Sequence, residues 1–196
     1  MKKVVFSLLM ICLTFTVQSQ ISVKFGVKGG LNVSKIVGSA TSLGMVSPDS
    51  KELTSGHFGL MARVKVLGLL AVQPEVLYSM QGTTYDGKIG PLQFSHDLKT
   101  NYVQVPVMVK FYPLFGFNIQ AGPQFGYLVS AKMDDEDIKD QLNKNAFAFN
   151  VGAGLDLPFG LGVDARYSIG LSDVFKEGAI GTNRTNVFTV AASYCF

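Results

Sequence analysis

Ionisable side chains recur at alternate positions inside otherwise apolar segments of this chain of 196 residues. Buried charges are tolerated when they pair with one another or hold water, because an unpaired charge away from water costs several kcal/mol. Because tight-turn pairing puts Arg63 diagonally opposite Glu75, we expect these two to pair. The predicted network of buried charges comprises Lys28, Arg63, Glu75, Lys110, Asp156, Asp164 and Arg166.

Catalytic chemistry has few candidates, because the chain has only two histidines, His57 and His96. Ser95, His96 and Asp97 are the residue types of a nucleophilic triad, but adjacent residues in a loop cannot adopt the geometry that it needs. His57 is better explained as a polar residue of an enclosed interior. We therefore predict no catalytic residue, and a lipid-modifying hydrolase remains only an alternative.

An acidic run offers the one candidate for a divalent cation, including a cation shared with lipopolysaccharide phosphates. It consists of Asp134, Asp135, Glu136 and Asp137, with Asp140 nearby. The run lacks the glycine and the spaced ligands of a calcium-binding loop. A solvated acidic loop is the stronger interpretation, and neither a metal nor a cofactor is predicted.

The elements that carry these side chains alternate apolar and polar residues through eight segments. In one of them Val105, Val107 and Val109 share a face opposite Gln104 and Lys110. Period-two alternation predicts β-strands. A two-sheet sandwich also alternates, but its strands usually have five or six residues, whereas these have about ten, enough to cross ~25 Å of hydrocarbon when tilted.

The connections alternate in length as well. Tight turns are predicted at 67–69, 113–116 and 158–160, and long loops at 34–55, 82–101, 132–145 and 173–185. Outer-membrane barrels have short periplasmic turns and long extracellular loops. We therefore predict an all-β fold, an eight-stranded antiparallel up-and-down transmembrane β-barrel with both termini periplasmic. A barrel of eight strands encloses a space that side chains fill.

The amino terminus predicts export. Residues 1–20 combine Lys2 and Lys3, an apolar run and a polar end, the pattern of a cleaved signal peptide, which leaves 21–196 as the barrel domain. Cleavage removes both lysines and lowers the formal net charge from +3 to +1. Cys195 is then the only cysteine, and a nearly neutral chain without basic clusters argues against nucleic acid as a partner.

The carboxyl terminus has an aromatic residue at its last position and apolar residues at alternate positions before it. The residues that carry this pattern are Phe188, Val190, Ala192, Tyr194 and Phe196. It resembles the element that the outer-membrane barrel assembly machinery recognises. Strand addition at an open sheet edge gives this recognition its physical basis.

Several short patterns, specific only in combination, resemble the small outer-membrane β-barrel family often labelled "porin family" or PorT-like. They occur at 26–34, 72–79, 105–112, 121–123 and 166–172. The resemblance implies that three prolines within strands, Pro74, Pro106 and Pro123, are family features; from the residues alone, local bulges are expected there. It implies no particular activity, although a few members serve secretion systems.

These observations predict a monomeric protein of a Gram-negative cell outer membrane, in contact with outer-membrane lipid and lipopolysaccharide. We expect a lumen filled by side chains and a non-enzymatic role, structural, adhesive or partner-docking, exerted through the outer loops. A narrow porin-like channel for small solutes is the first alternative, and a lipid-modifying outer-membrane enzyme is the second.

Overall fold

The computed structural model describes residues 21–38, 49–66, 68–89, 92–133, 136–137, 142–173 and 183–196. The predicted signal peptide lies outside these residues, as do Asp134, Asp135 and Asp140 of the acidic run. Within the described ranges, no helix is long and apolar enough to span a membrane.

The alternating segments form eight long strands and one short one. The strands are β1 (Ser22–Gly38), β2 (Asp49–Val66), β3 (Leu70–Ile89), β4 (Leu92–Phe111), β5 (Phe117–Met133), β6 (Glu136–Asp137), β7 (Asn145–Asp156), β8 (Leu161–Gly170) and β9 (Asn183–Cys195). Strand β6, which was not predicted, has two residues and pairs with the end of β5.

The eight long strands close into a barrel. Each pairs antiparallel with its neighbours in the order β4, β3, β2, β1, β9, β8, β7, β5, and β5 pairs back to β4. The first and last strands meet in a long ladder that runs from Gly26 opposite Cys195 to Gly38 opposite Asn183. Such closure leaves no open sheet edge, so the predicted eight-stranded antiparallel barrel is confirmed and a sandwich is excluded.

The two faces of the wall have opposite character. The outward side chains are apolar and exposed, as in Leu60 at 64% exposure and Val109 at 50%. The inward side chains are polar and buried, as in Gln73 at 0% and Lys110 at 1%. This partition is the reverse of a water-soluble barrel and matches a wall that faces lipid.

Three connections at one mouth are tight, as predicted. A positive φ is found at Gly68 and Gly116 in two of them, and at Phe159 and Gly160 in a single 3₁₀ turn, Pro158–Gly160. An added Cβ at Gly116 would lie 2.3 Å from the carbonyl oxygen of Asp156. This turn therefore requires glycine both for its positive φ and for the close approach of that oxygen. We call this end of the barrel the short-turn mouth, and the opposite end the long-loop mouth.

The predicted loop at 82–101 is wrong, because β3 and β4 continue through it. They remain paired as far as Ile89 opposite Leu92, and each strand has 20 residues, against 10 in β8. Alternation disappears from the sequence here because a hairpin that extends beyond the membrane has water on both sides. Backbone pairing does not require an apolar face, so the strands persist where the pattern ends.

The bulges expected at the strand prolines are not found. Pro74 stands opposite Val107 and Pro106 opposite Gln124, and the registers on either side of these positions are unshifted. Pro123 likewise stands in an unshifted ladder with β7. The structure places all three at one level of three adjacent strands and has its register shifts elsewhere, in the β2–β3 and β4–β5 pairs.

Candidate functional site

The lumen is the candidate site because it concentrates buried ionisable side chains on strands from all round the barrel. Seven are those chosen from the sequence, carried by β1, β2, β3, β4, β7 and β8. Each points inward because it falls on the polar phase of its strand's alternation. They form two groups, one in mid-barrel and one toward the short-turn mouth.

The mid-barrel group, which we call the Glu75 cluster, comprises Lys28, Glu75, Asp164 and Arg166. The guanidinium of Arg166 donates to both carboxylate oxygens of Glu75, at 2.8 and 2.6 Å. The ammonium of Lys28 donates to both oxygens of Asp164 at 2.8 Å and lies 3.6 Å from Glu75. A further ion pair joins Arg166 Nε and Asp164 Oδ1, which are 2.9 Å apart. Two cations and two anions thus alternate in a ring without net charge.

The Glu75 cluster spans the full width of the lumen. Strands β3 and β8, which carry Glu75 and Arg166, are four places apart in the strand order and therefore lie on opposite walls. Glu75 is 1% exposed and Lys28 is 4% exposed. Side chains that touch across the diameter, and that hardly contact water, close the barrel at this level.

The second group, the Asp156 cluster, comprises Arg63, Lys110, Tyr112 and Asp156. Arg63 Nη1 and the hydroxyl of Tyr112 both donate to Asp156 Oδ2 at 2.7 Å, and Lys110 Nζ is 3.9 Å from Oδ1. Tyr112 follows the last residue of β4; burial and its bond to Asp156 raise the pKa of its phenol, which stays protonated and donates. Arg63 and Asp156 again come from opposite walls, on β2 and β7.

The predicted pairing of Arg63 with Glu75 is wrong. Arg63 donates its Nε to Gln73 at 2.8 Å, and Gln73 in turn donates to Glu75 at 2.6 Å, so the amide separates the two charges. The register explains the difference, because Glu75 stands opposite Met61 and the long side chains reach across the lumen instead of along the wall. Gln73 thereby connects the Asp156 cluster to the Glu75 cluster.

Sequence reasoning missed the role of Tyr112. Tyr112 lies two residues after Lys110, on the same inward phase, so the alternation would have located it if it had been extended past the end of β4. The linking role of Gln73 has no comparable signal in the sequence. A glutamine at an inward position gives the same pattern whether its amide links two clusters or only fills space.

Above the Glu75 cluster, toward the long-loop mouth, the described side chains of the lumen are mostly polar and neutral, although Asp173 lines one of the cavities there. Asn32 donates to Ser79 at 3.0 Å and lies 2.9 Å from Nδ1 of His57. Asn150 donates to Gln124 at 3.0 Å. The spaces left between these side chains are small, with cavity volumes of about 20 and 40 Å³. The predicted place of His57 in the lumen is therefore what the structure shows.

Below the Asp156 cluster the lumen widens into a cavity of about 570 Å³ that opens at the short-turn mouth, here called the vestibule. Its lining includes Lys24, Arg63, Lys65 and Asp156, with Phe115 and Phe159 among the turn residues. The ammonium of Lys65 sits 4.0 Å from the centre of the Tyr112 ring. Cys195, a buried free thiol, also lines this space.

Other residues considered from the sequence have different places. The outward face of β9 presents Phe188, Val190 and Tyr194, each about half exposed, and the final residue Phe196 is 73% exposed. His96 lies in the β3–β4 hairpin, and its side chain is outside the described part of the structure. Among the residues that are described, no three His, Cys, Asp or Glu side chains are grouped to hold a metal ion.

Comparison with protein families gives one match that covers most of the chain. Residues 18–176 match the model of the outer membrane protein beta-barrel domain. The chain belongs to this family. Membership implies location in the outer membrane, in agreement with the apolar outer face of the wall. A comparison with curated protein sequences gave no match.

Solved structures with the same fold include two small surface proteins. One is Ail, the attachment invasion locus protein of Yersinia pestis, solved in complex with the heparin analogue sucrose octasulfate. It has 15% sequence identity to this chain and a TM-score of 0.51, and the match covers 89% of this chain and 99% of Ail. Neisserial surface protein A has 12% identity and a TM-score of 0.54, with the same coverages. At these identities the likeness establishes the fold.

Proposed function

We propose that the protein is a closed, non-enzymatic outer-membrane barrel that docks a partner or a surface at its long-loop mouth. The observation that carries the proposal is the Glu75 cluster, in which Arg166 and Glu75 join opposite walls by two hydrogen bonds of 2.6 and 2.8 Å with almost no exposure to water. A lumen blocked in this way leaves the outer surface as the place where recognition takes place.

The uneven height of the wall supports this role. Strands β3 and β4 have 20 residues each, whereas about ten suffice to cross the hydrocarbon. The surplus at the long-loop mouth forms a paired hairpin that projects on one side of the barrel, while β7 and β8 have 12 and 10 residues. A hydrogen-bonded hairpin presents side chains at lower entropic cost than a free loop of equal length.

A relative of the same fold acts as a precedent. Ail is named as an attachment protein and was solved with a heparin analogue, although its identity to this chain is only 15%. Together with the projecting hairpin, this precedent favours attachment over catalysis. The enzymatic alternative is less favoured, because the charged side chains of the Glu75 and Asp156 clusters are engaged in ion pairs with one another.

Planar-bilayer recording tests whether the barrel is closed. The wild-type protein should give no current steps above background, whereas a double variant, Glu75→Ala with Arg166→Ala, removes the side chains that span the lumen and should give small discrete steps. A Leu60→Ala variant, changed only on the outer face, serves as the control and should be silent. Discrete currents through the wild type would favour the narrow channel instead.

Attachment is tested with a shortened hairpin. Replacing residues 84–97 by a two-residue turn removes the projecting part of β3 and β4 and leaves the membrane-crossing part intact. Host bacteria that display the wild type should adhere several-fold better to polysaccharide- or protein-coated surfaces than bacteria with the shortened form. Equal adhesion, at equal amounts of folded barrel, would contradict the docking role.

We also propose that the barrel assembly machinery binds the last strand through Phe188, Val190, Tyr194 and Phe196. Support comes from the outward placement of these apolar side chains. Deleting Phe196 should leave unfolded protein in the periplasm and little heat-modifiable barrel in the membrane. Phe115→Ala, which removes a fully exposed aromatic ring from a turn, should assemble normally. Normal assembly of the deletion variant would contradict this proposal.

A further inference from the structure

The vestibule has more positive than negative charge in its lining. Lys24, Arg63 and Lys65 line it together with a single carboxylate, Asp156. That carboxylate already accepts hydrogen bonds from Arg63 and Tyr112 and lies near Lys110. In the part of the chain that the structure describes, neither Lys24 nor Lys65 has a carboxylate partner. Two ammonium groups that are not paired with a described carboxylate therefore face a common space.

A buried donor points to a missing acceptor at the same place. Arg63 is 8% exposed, and its Nη2 has no hydrogen-bond partner although Nη1 and Nε are both engaged. Buried guanidinium donors are normally satisfied, because an unpaired one loses its hydration without compensation. Arg63 also stands opposite Lys24 in the β1–β2 ladder, so the two residues that carry the unpaired donor and the unpaired ammonium are neighbours in the wall.

The rim of the vestibule is apolar. Phe115 and Phe159, which line the vestibule, are almost fully exposed, and Leu114 beside Phe115 is also exposed. Rings that project so fully from turns suit the headgroup zone of a membrane. A basic interior with an apolar rim is complementary to an anion that is attached to an apolar group.

We propose that the vestibule binds a phosphate group, with Lys24, Lys65 and the free Nη2 of Arg63 as its donors. The phosphate can be free in solution or belong to the headgroup of a lipid, in which case the exposed turn rings pack against the lipid. Phosphate supplies several acceptor oxygens, which the three cationic donors can share in charge-assisted hydrogen bonds. The Asp156 cluster holds Arg63 and, through Tyr112, Lys65 in position.

Binding is measured by isothermal titration calorimetry on the full barrel in an uncharged detergent at low salt. One titration uses inorganic phosphate and the other uses short-chain phosphatidylglycerol below its micellar concentration. The test variant is Lys24→Gln with Lys65→Gln. Its matched control is Lys99→Gln with Lys132→Gln, because these two exposed lysines face each other on β4 and β5 toward the long-loop mouth.

The test variant should bind at least one of the two ligands roughly tenfold more weakly than the wild type, as expected for the loss of charge-assisted donors. The control should change its affinity less than twofold, and both variants should remain heat-modifiable barrels. Binding of inorganic phosphate identifies a site for the free ion, and binding of phosphatidylglycerol alone identifies a headgroup site. If the wild type binds neither, or if both variants bind like the wild type, the proposal is overturned.

Discussion

The lumen has two halves that are filled in different ways. Toward the short-turn mouth and in mid-barrel, two ion pairs between long charged side chains, Glu75 with Arg166 and Arg63 with Asp156, join strands that are four places apart. Toward the long-loop mouth, short neutral side chains join strands that are one or two places apart, as in Asn150 with Gln124.

The difference follows from side-chain length. Asn, Ser and Thr cannot reach the opposite wall of an eight-stranded barrel, whereas an arginine and a glutamate together can. Ion pairs of this kind are costly to break, because one partner is left as an unpaired buried charge, but neutral hydrogen bonds contribute only about 1 kcal/mol each. The charged half is therefore expected to determine both the closure of the barrel and much of its stability.

The largest effect is expected from Glu75→Ala. It leaves Arg166 and Lys28 facing each other with only Asp164 to balance them, and the free energy of unfolding should fall by about 3 to 5 kcal/mol. Urea unfolding in detergent micelles, followed by tyrosine fluorescence, measures the change. The substitution removes a partner from Arg166 and Lys28. Arg63 keeps its own partners, Gln73 and Asp156.

A neutral replacement of the same pair sharpens the comparison. Glu75→Gln combined with Arg166→Met removes one charge of each sign, so the double variant should be less destabilised than the sum of its single variants by more than 1 kcal/mol. Additive single effects would show that the two side chains are not coupled, and would remove the ion pair as the reason for closure.

A smaller effect is expected from Asp156→Asn. It removes the only carboxylate of the Asp156 cluster, but the side chain of Asp156 is 15% exposed toward the vestibule, and water can partly replace it. We expect a loss of about 2 kcal/mol, measured in the same unfolding experiment. A loss as large as that of Glu75→Ala would mean that access to the vestibule does not relieve the unpaired cations.

The fold could be predicted from the sequence because lipid and lumen impose opposite preferences on alternate residues. Val105, Gln104, Val107 and Lys110 were all assigned to the correct face by this rule alone. The rule fails where its cause is absent, which is why the sequence predicts a loop at 82–101 where the structure has a paired hairpin. The bulge predicted at Pro74 fails for a different reason. Proline lacks a backbone N–H donor, but the loss of this one hydrogen bond does not shift the register of the ladder.

The contacts within the lumen were less predictable than its lining. Inward placement follows from the phase of each strand, but partners depend on how the eight strands close into a barrel, which puts β3 opposite β8. Local reasoning therefore joined Arg63 to Glu75 across one turn. Only the closed structure shows that arginines and carboxylates of this length meet across the diameter.

The smallest effect is expected from Asn150→Ala in the neutral half. Asn150 is 1% exposed and donates to Gln124 at 3.0 Å, so the substitution removes hydrogen bonds but leaves no unpaired charge. The free energy of unfolding should fall by about 1 kcal/mol, and the bilayer current should stay at background. A loss comparable to that of Glu75→Ala, or the appearance of current steps, would show that the neutral half shares the work of closure. Because Asn150 bonds only to strands one or two places away, either result would require that the barrel is held shut by its wall instead of by contacts across its lumen.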